Sequence, residues 1–87
     1  MAARILVCDD EAALREMLRV LLRRAGYDVI TADTRTAALA RIGAEELDAV
    51  VTDLALPDGS GMEVLSAARA RSLRSRCGGR LRGGGGA

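Results

Sequence analysis

At 87 residues the chain has room for one small domain, and an apolar share of 49% with Tyr27 as sole aromatic suits an aliphatic α/β core. The net charge of +1 conceals an asymmetry: residues 1–68 carry all twelve acids with seven of the thirteen arginines, a balance of −5, whereas residues 69–87 carry the other six arginines, six of the ten glycines and no acid, a balance of +6. No histidine, lysine or tryptophan occurs, which excludes histidine acid–base catalysis, histidine metal sites and lysine nucleophiles.

Arg4–Cys8 (RILVC) is a short apolar run with branched residues, which predicts a strand covered on both faces, and it stops abruptly at Asp9-Asp10-Glu11. Behind it, Leu14, Met17, Leu18, Leu21, Leu22 and Ala25 fall on one helical face, with Gly26 as terminator. Tyr27–Ala32 (YDVITA) predicts a second strand. Asp33 or Thr34 offers an N-cap for a second helix, with Gly43 as its stop. Leu47–Asp53 (LDAVVTD) predicts a third strand, again ending in an acid. Leu54–Gly61 (LALPDGSG) has turn chemistry in its Pro and Asp-Gly. Helical periodicity then resumes from Met62, with Leu65 and Ala68 or Arg69 on one face, and stops near Ala70. The order βαβαβα predicts a parallel sheet covered by helices, with right-handed crossovers. Residues 1–70 read as the domain and residues 71–87 as an Arg/Gly-rich disordered tail.

Cys8 and Cys77 show neither CxxC nor zinc-type spacing, and read as a small core residue and a stray thiol in a reducing compartment. No secretory signal and no membrane span are legible, so the expected location is the cytoplasm.

The acids at the strand ends carry the chemistry. In an open doubly wound sheet, ligands bind beyond the carboxyl ends of the strands, where the strand order reverses. If the second and third strands flank the first (order 2-1-3), Asp9, Asp10 and Asp53 converge there. Three such carboxylates repel one another unless a counter-charge is present, and the chain has no lysine or histidine to supply it. A divalent cation is the natural neutraliser, and an all-oxygen ligand set selects a hard ion such as Mg²⁺. A carboxylate beside Mg²⁺ can attack phosphorus to form an aspartyl phosphate. Asp53, alone at its strand end before an open turn, is the better nucleophile, and Asp9 and Asp10 suit metal holding. Taken singly, each acid has a plainer reading: Asp10 as a helix N-cap, Glu11 as a first-turn helix acid, Asp58 as a turn residue.

ILVCDDE, GYDVITA and DAVVTDLALPDGSGMEVL together resemble the receiver domain of two-component response regulators, over about residues 4–70. The wording LPDGSGMEVL is most similar to receivers attached to transcription factors, the nitrogen-regulator type among them. The resemblance implies a flavodoxin-like (CheY-like) sheet of order 2-1-3-4-5, here incomplete. It implies a non-enzymatic module of a phosphorelay that accepts a phosphoryl group on Asp53 from a sensor histidine kinase. It also implies Mg²⁺ held by Asp10 and Asp53 with the backbone carbonyl of Ala55, Asp9 acting through water, and an output or DNA-binding domain that is absent from this chain.

Departures from the family pattern define a second reading. The family's fourth strand ends in Ser or Thr and its fifth in Lys, whereas this chain has no threonine after Thr52 and no lysine at all. The chain is therefore read as a truncated or frame-shifted receiver, with a non-switching fragment that acts only as a binding module, or is vestigial, as the alternative. The segment RCGGRLRG is expected not to form a buried strand. That would leave the far edge of the third strand bare and the domain weakly stable or self-associating through that edge. An Asp-dependent phosphohydrolase of the haloacid dehalogenase type needs a DxDxT-like motif that DDEAA does not supply. The tail has arginines without interleaved aromatics, so direct nucleic-acid binding is not expected.

Overall fold

Two runs of branched aliphatic residues, Arg4–Cys8 and Ala49–Thr52, form strands β1 and β3 at the centre of a parallel sheet. The computed structural model describes residues 2–71 and 74–77. In chain order the other elements are α1 (Ala12–Arg24), β2 (Asp28–Ala32), α2 (Arg35–Ala44), β4 (Ala55–Leu56), β5 (Gly59–Ser60), α3 (Gly61–Ala70) and β6 (Arg74–Cys77). Among the described residues the sheet order is β2-β1-β3-β6, and β4 pairs antiparallel with β5 as a separate hairpin. The expected 2-1-3 arrangement is therefore present.

Alternation along the strands divides the core. Leu6, Cys8 and Val50 face the layer built by α2 and α3, where they meet Ala38, Ile42, Val64 and Ala68. Leu6, Val7, Val50 and Val64 are fully buried, each contributing roughly 1.5–3 kcal/mol of burial. On the opposite face α1 lies over β1 and β2. Its predicted apolar face is only half covered: Leu14, Leu18 and Leu22 are half-buried, Ala25 is exposed, and Met17 and Leu21 stay 49% and 53% exposed. That stripe is wider than the contact one helix makes on a flat sheet. Beside it runs a groove of about 530 Å³, lined in part by Ile5, Leu22, Tyr27, Ala49 and Val51.

Local signals explain the helix ends. Gly26 takes φ +100, and its N–H donates to the Arg23 carbonyl (3.0 Å) while that of Tyr27 donates to Leu22 (3.1 Å). This left-handed closure of α1 is the one Gly26 predicts. Thr34, rather than Asp33, is the N-cap of α2, its hydroxyl accepting from the Ala37 N–H at 3.1 Å. The expected stop at Gly43 is corrected. The helix runs on to Ala44 and ends where Glu45 becomes extended (φ −108, ψ 154), because Gly43 adopts no left-handed conformation here.

The expectation of a bare β3 edge is also corrected. Arg74–Cys77, inside the stretch read as tail, pairs parallel with β3 in the register Ala49↔Arg74 to Thr52↔Cys77. Strand pairing is made by backbone N–H and C=O groups, which every non-proline residue carries whatever its side chain. Self-association through β3 has no open edge to use. Residues 72, 73 and 78–87 of that stretch lie outside the described residues.

Candidate functional site

Register builds the site. Cys8 lies opposite both Ala32 in β2 and Thr52 in β3, so Asp9 and Asp53 leave the sheet side by side. Each extends the pairing by one bond: the Asp9 N–H donates to the Ala32 carbonyl at 3.1 Å, and the Asp53 N–H to the Cys8 carbonyl at 2.9 Å. Both acids are buried, at 4% and 5% exposure. Asp10 is exposed at the start of the β1–α1 turn. One carboxylate oxygen from each of Asp9, Asp10 and Asp53 lies within 4.8 Å of the others. The structure thus brings together the three acids singled out in the sequence.

The surrounding contacts position these acids. Asp9 Oδ1 accepts the Glu11 N–H at 2.8 Å, a side-chain closure of the β1–α1 turn. The Arg15 guanidinium donates to the Asp9 backbone carbonyl at 2.8 Å. Glu11, not Asp10, occupies the N-cap position of α1, and so stands before the first helical turn rather than in it. Asp53 Oδ1 accepts the Ala55 N–H at 3.4 Å, tying the start of β4 to the strand-end acid. Beneath them, burial pushes the Cys8 thiol up to about 11, so it stays protonated and does not compete as a nucleophile.

Behind Asp53 the chain turns back on itself, and Gly61 makes this possible. Its N–H donates to the Leu54 carbonyl at 2.9 Å, and any Cβ at this position would collide with the Asp53 carbonyl. Ser60 and Glu63 then form a capping box at the start of α3: Ser60 Oγ accepts the Met62 N–H at 3.0 Å, and Glu63 Oε2 accepts the Ser60 N–H at 3.4 Å.

The donor set fits a hard divalent cation. Like charges 4–5 Å apart repel by roughly 3–4 kcal/mol at a protein-surface dielectric, and a dication reverses the sign of that term. Two of the three carboxylates are buried, so water screens them poorly.

Sequence reasoning missed three contributors: Arg15, the Asp58 carboxylate and the Arg35–Glu63 ion pair at 3.0 Å. The Ser60-x-x-Glu63 spacing is the one signal that could have placed Glu63 at the start of α3. The other contacts join residues far apart in the chain.

A family model described as "Response regulator receiver domain" matches residues 5–77. The chain belongs to the response regulator receiver domain family. The match runs beyond Ala70 and takes in β6. Membership ties this receiver to two-component signalling. The chain is 45% identical over 65 residues to the transcriptional regulatory protein KdpE of Mycobacterium tuberculosis, an alignment covering 75% of this chain and 29% of KdpE. The fold is similar to a CheY-like receiver from Methanospirillum hungatei (TM-score 0.86, 30% identity), covering 94% of this chain and 68% of that one. It is also similar to the response regulator TrrA of Thermotoga maritima, solved in complex with Mg(2+)-BeF (TM-score 0.77, 35% identity), covering 86% of this receiver and 65% of that chain. This receiver spans less than a third of KdpE, and among its described residues no helix is long and apolar enough to cross a membrane.

Proposed function

We propose that this receiver works in the cytoplasm as a phosphoacceptor, taking a phosphoryl group on Asp53 from a sensor histidine kinase as a step in transcription regulation. The convergence of Asp9, Asp10 and Asp53 within 4.8 Å carries the reading. Asp9, Asp10, Asp53 and the Ala55 carbonyl are the groups that would hold Mg²⁺. When bound, the ion offsets the repulsion between the acceptor carboxylate and the phosphoryl oxygens. The rest is done by the chain. The Asp53 backbone is fixed to β1 through Cys8, and the Ala55 N–H on Oδ1 orients the second carboxylate oxygen. That oxygen forms the new bond to phosphorus as the bond from phosphorus to the donor nitrogen breaks. The chain is an acceptor in this reaction rather than an enzyme.

A second reading has its own support. Lysine is absent, and Ser75, the one hydroxyl residue in β6, pairs with Val50 rather than with Thr52 at the strand end. A receiver of this composition can accept a phosphoryl group without carrying the groups through which the family reads it. It would then act as a binding module that does not switch.

Incubation with Mg²⁺ and a small-molecule phosphodonor tests the first reading. Intact mass is expected to show one labile phosphoryl adduct that Asp53→Ala abolishes. Absence of any adduct on the wild-type chain leaves only the non-switching module.

A further inference from the structure

We propose that Asp58 is a positioning residue for the acceptor site: its carboxylate fastens the β4–β5 hairpin to the N-terminus of α2 and so holds the Ala55 backbone in place. The proposal rests on the reading of Asp53 and Ala55 as Mg²⁺ ligands.

The first turn of any helix leaves N–H groups without intrahelical partners. In α2 two of these are taken by a residue more than twenty positions away. The Arg35 N–H donates to Asp58 Oδ1 at 2.6 Å, and the Thr36 N–H and hydroxyl donate to Oδ2 at 2.9 and 2.6 Å. The third, on Ala37, is satisfied by the N-cap hydroxyl of Thr34. An anion held by paired N–H groups at the positive end of a helix is a charge-assisted contact, stronger than an ordinary turn bond. The Thr36 hydroxyl first, then its N–H, holds the Asp58 carboxyl down at about 2, so the contact is ionic at any working pH.

Arg35 adds a second strap. Its Nε donates to the Asp58 carbonyl at 3.1 Å, and its terminal nitrogen reaches Glu63 Oε1 at 3.0 Å. The hairpin is therefore pinned at two ends. Its base is fixed by the Gly61 N–H on the Leu54 carbonyl and by the Ala55↔Ser60 pairing; its tip is fixed by Asp58 on α2. Ala55 belongs to the base itself, next to the strand-end acid, and its N–H contacts Asp53 Oδ1. Releasing the tip leaves Ala55 held from the base alone, so its backbone loosens while the carboxylate cluster keeps its own bonds to β1, β2 and the β1–α1 turn.

The full chain carrying Asp58→Ala, Asp58→Asn or Thr34→Ala is compared with wild type by Mg²⁺ calorimetry and by amide hydrogen exchange. Groups that orient metal ligands typically change affinity by 10-fold or more, so Asp58→Ala is expected to weaken Mg²⁺ binding roughly 10-fold. Asp58→Asn, with a single amide oxygen in place of two acceptors, falls between it and wild type. Thr34→Ala removes a bond from the same helix end without touching the hairpin, and stays within about twofold of wild type. Faster exchange at Ala55 and Gly61 accompanies the Asp58 variants alone. Unchanged affinity in both Asp58 variants overturns the proposal, as does an equal loss in Thr34→Ala, which would reduce Asp58 to a helix cap. If the wild-type chain itself binds no Mg²⁺, the acceptor reading fails. The clamp is then judged by exchange alone, and equal rates at Ala55 and Gly61 in all variants overturn it.

Discussion

Saturating Mg²⁺ raises the melting temperature of the wild-type chain by roughly 10–20 °C, and Asp53→Asn removes most of that rise. A ligand at one hundred times its dissociation constant stabilises the state it binds by about 2.7 kcal/mol. For a domain of this size each kcal/mol moves the midpoint by roughly 4–8 °C. The linkage arises because the folded chain gathers three carboxylate oxygens within 4.8 Å, whereas an unfolded chain separates Asp53 from Asp9 and Asp10 by most of the domain. Asp53→Asn is nearly isosteric, and its amide oxygen can still accept the Ala55 N–H that meets Oδ1. It removes one charge from the cluster and with it part of the mutual repulsion, so without Mg²⁺ the variant melts above wild type. The two chains therefore exchange their order of stability as Mg²⁺ is added. Scanning calorimetry across a Mg²⁺ series reads both effects, and parallel curves for the two chains would contradict the assignment of the cluster.

Gly61→Ala is expected to cost roughly 1–3 kcal/mol and to abolish phosphoryl uptake together. A methyl group there would occupy the space of the Asp53 carbonyl and crowd the Leu54 Cα, which are backbone atoms that cannot rotate aside. The loop must move, and with it the Asp53 backbone and the base of the hairpin that carries Ala55. Gly26→Ala is the informative comparison. Gly26 takes φ +100, so alanine is strained there, yet a Cβ would meet nothing within 4 Å. That variant loses stability at the end of α1 and keeps phosphoryl uptake. Thermal melts paired with phosphodonor labelling separate the two, and full uptake by Gly61→Ala would show that the close approach to Asp53 is dispensable.

The acids were legible in the sequence for a simple reason. A short aliphatic run that stops at a carboxylate marks both a strand and its end, and two such runs in a βαβ alternation bring their ends together. Asp9 and Asp53 meet because Cys8 pairs with Thr52, a register that follows from strand polarity and similar strand length. The β6 strand was not legible, because Arg74–Cys77 pairs through its backbone and shows no apolar period for a sequence reading to catch. The extent of α1 burial was missed because periodicity marks which face is apolar and not how much of it a neighbour covers; Met17 and Leu21 show the difference. Asp58 read as a turn residue, which it is. Its larger part lies in contacts to Arg35 and Thr36, and no local pattern connects a hairpin tip to the first turn of a helix two elements earlier. Some short-range chemistry was readable, as Gly26 and Thr34 show, whereas the Gly43 stop and the Asp10 cap were misplaced by one residue.

On the proposed function, Asp53 and no other carboxylate of the cluster receives the phosphoryl group. Borohydride reduces an acyl phosphate to an alcohol, converting the modified aspartate to homoserine at the position that carried the phosphoryl group. Peptide mapping by mass spectrometry after labelling in Mg²⁺ is predicted to place homoserine at position 53 alone, and to find none when Mg²⁺ is withheld. Homoserine at position 9 or 10, or labelling that persists in Asp53→Asn, would contradict the account.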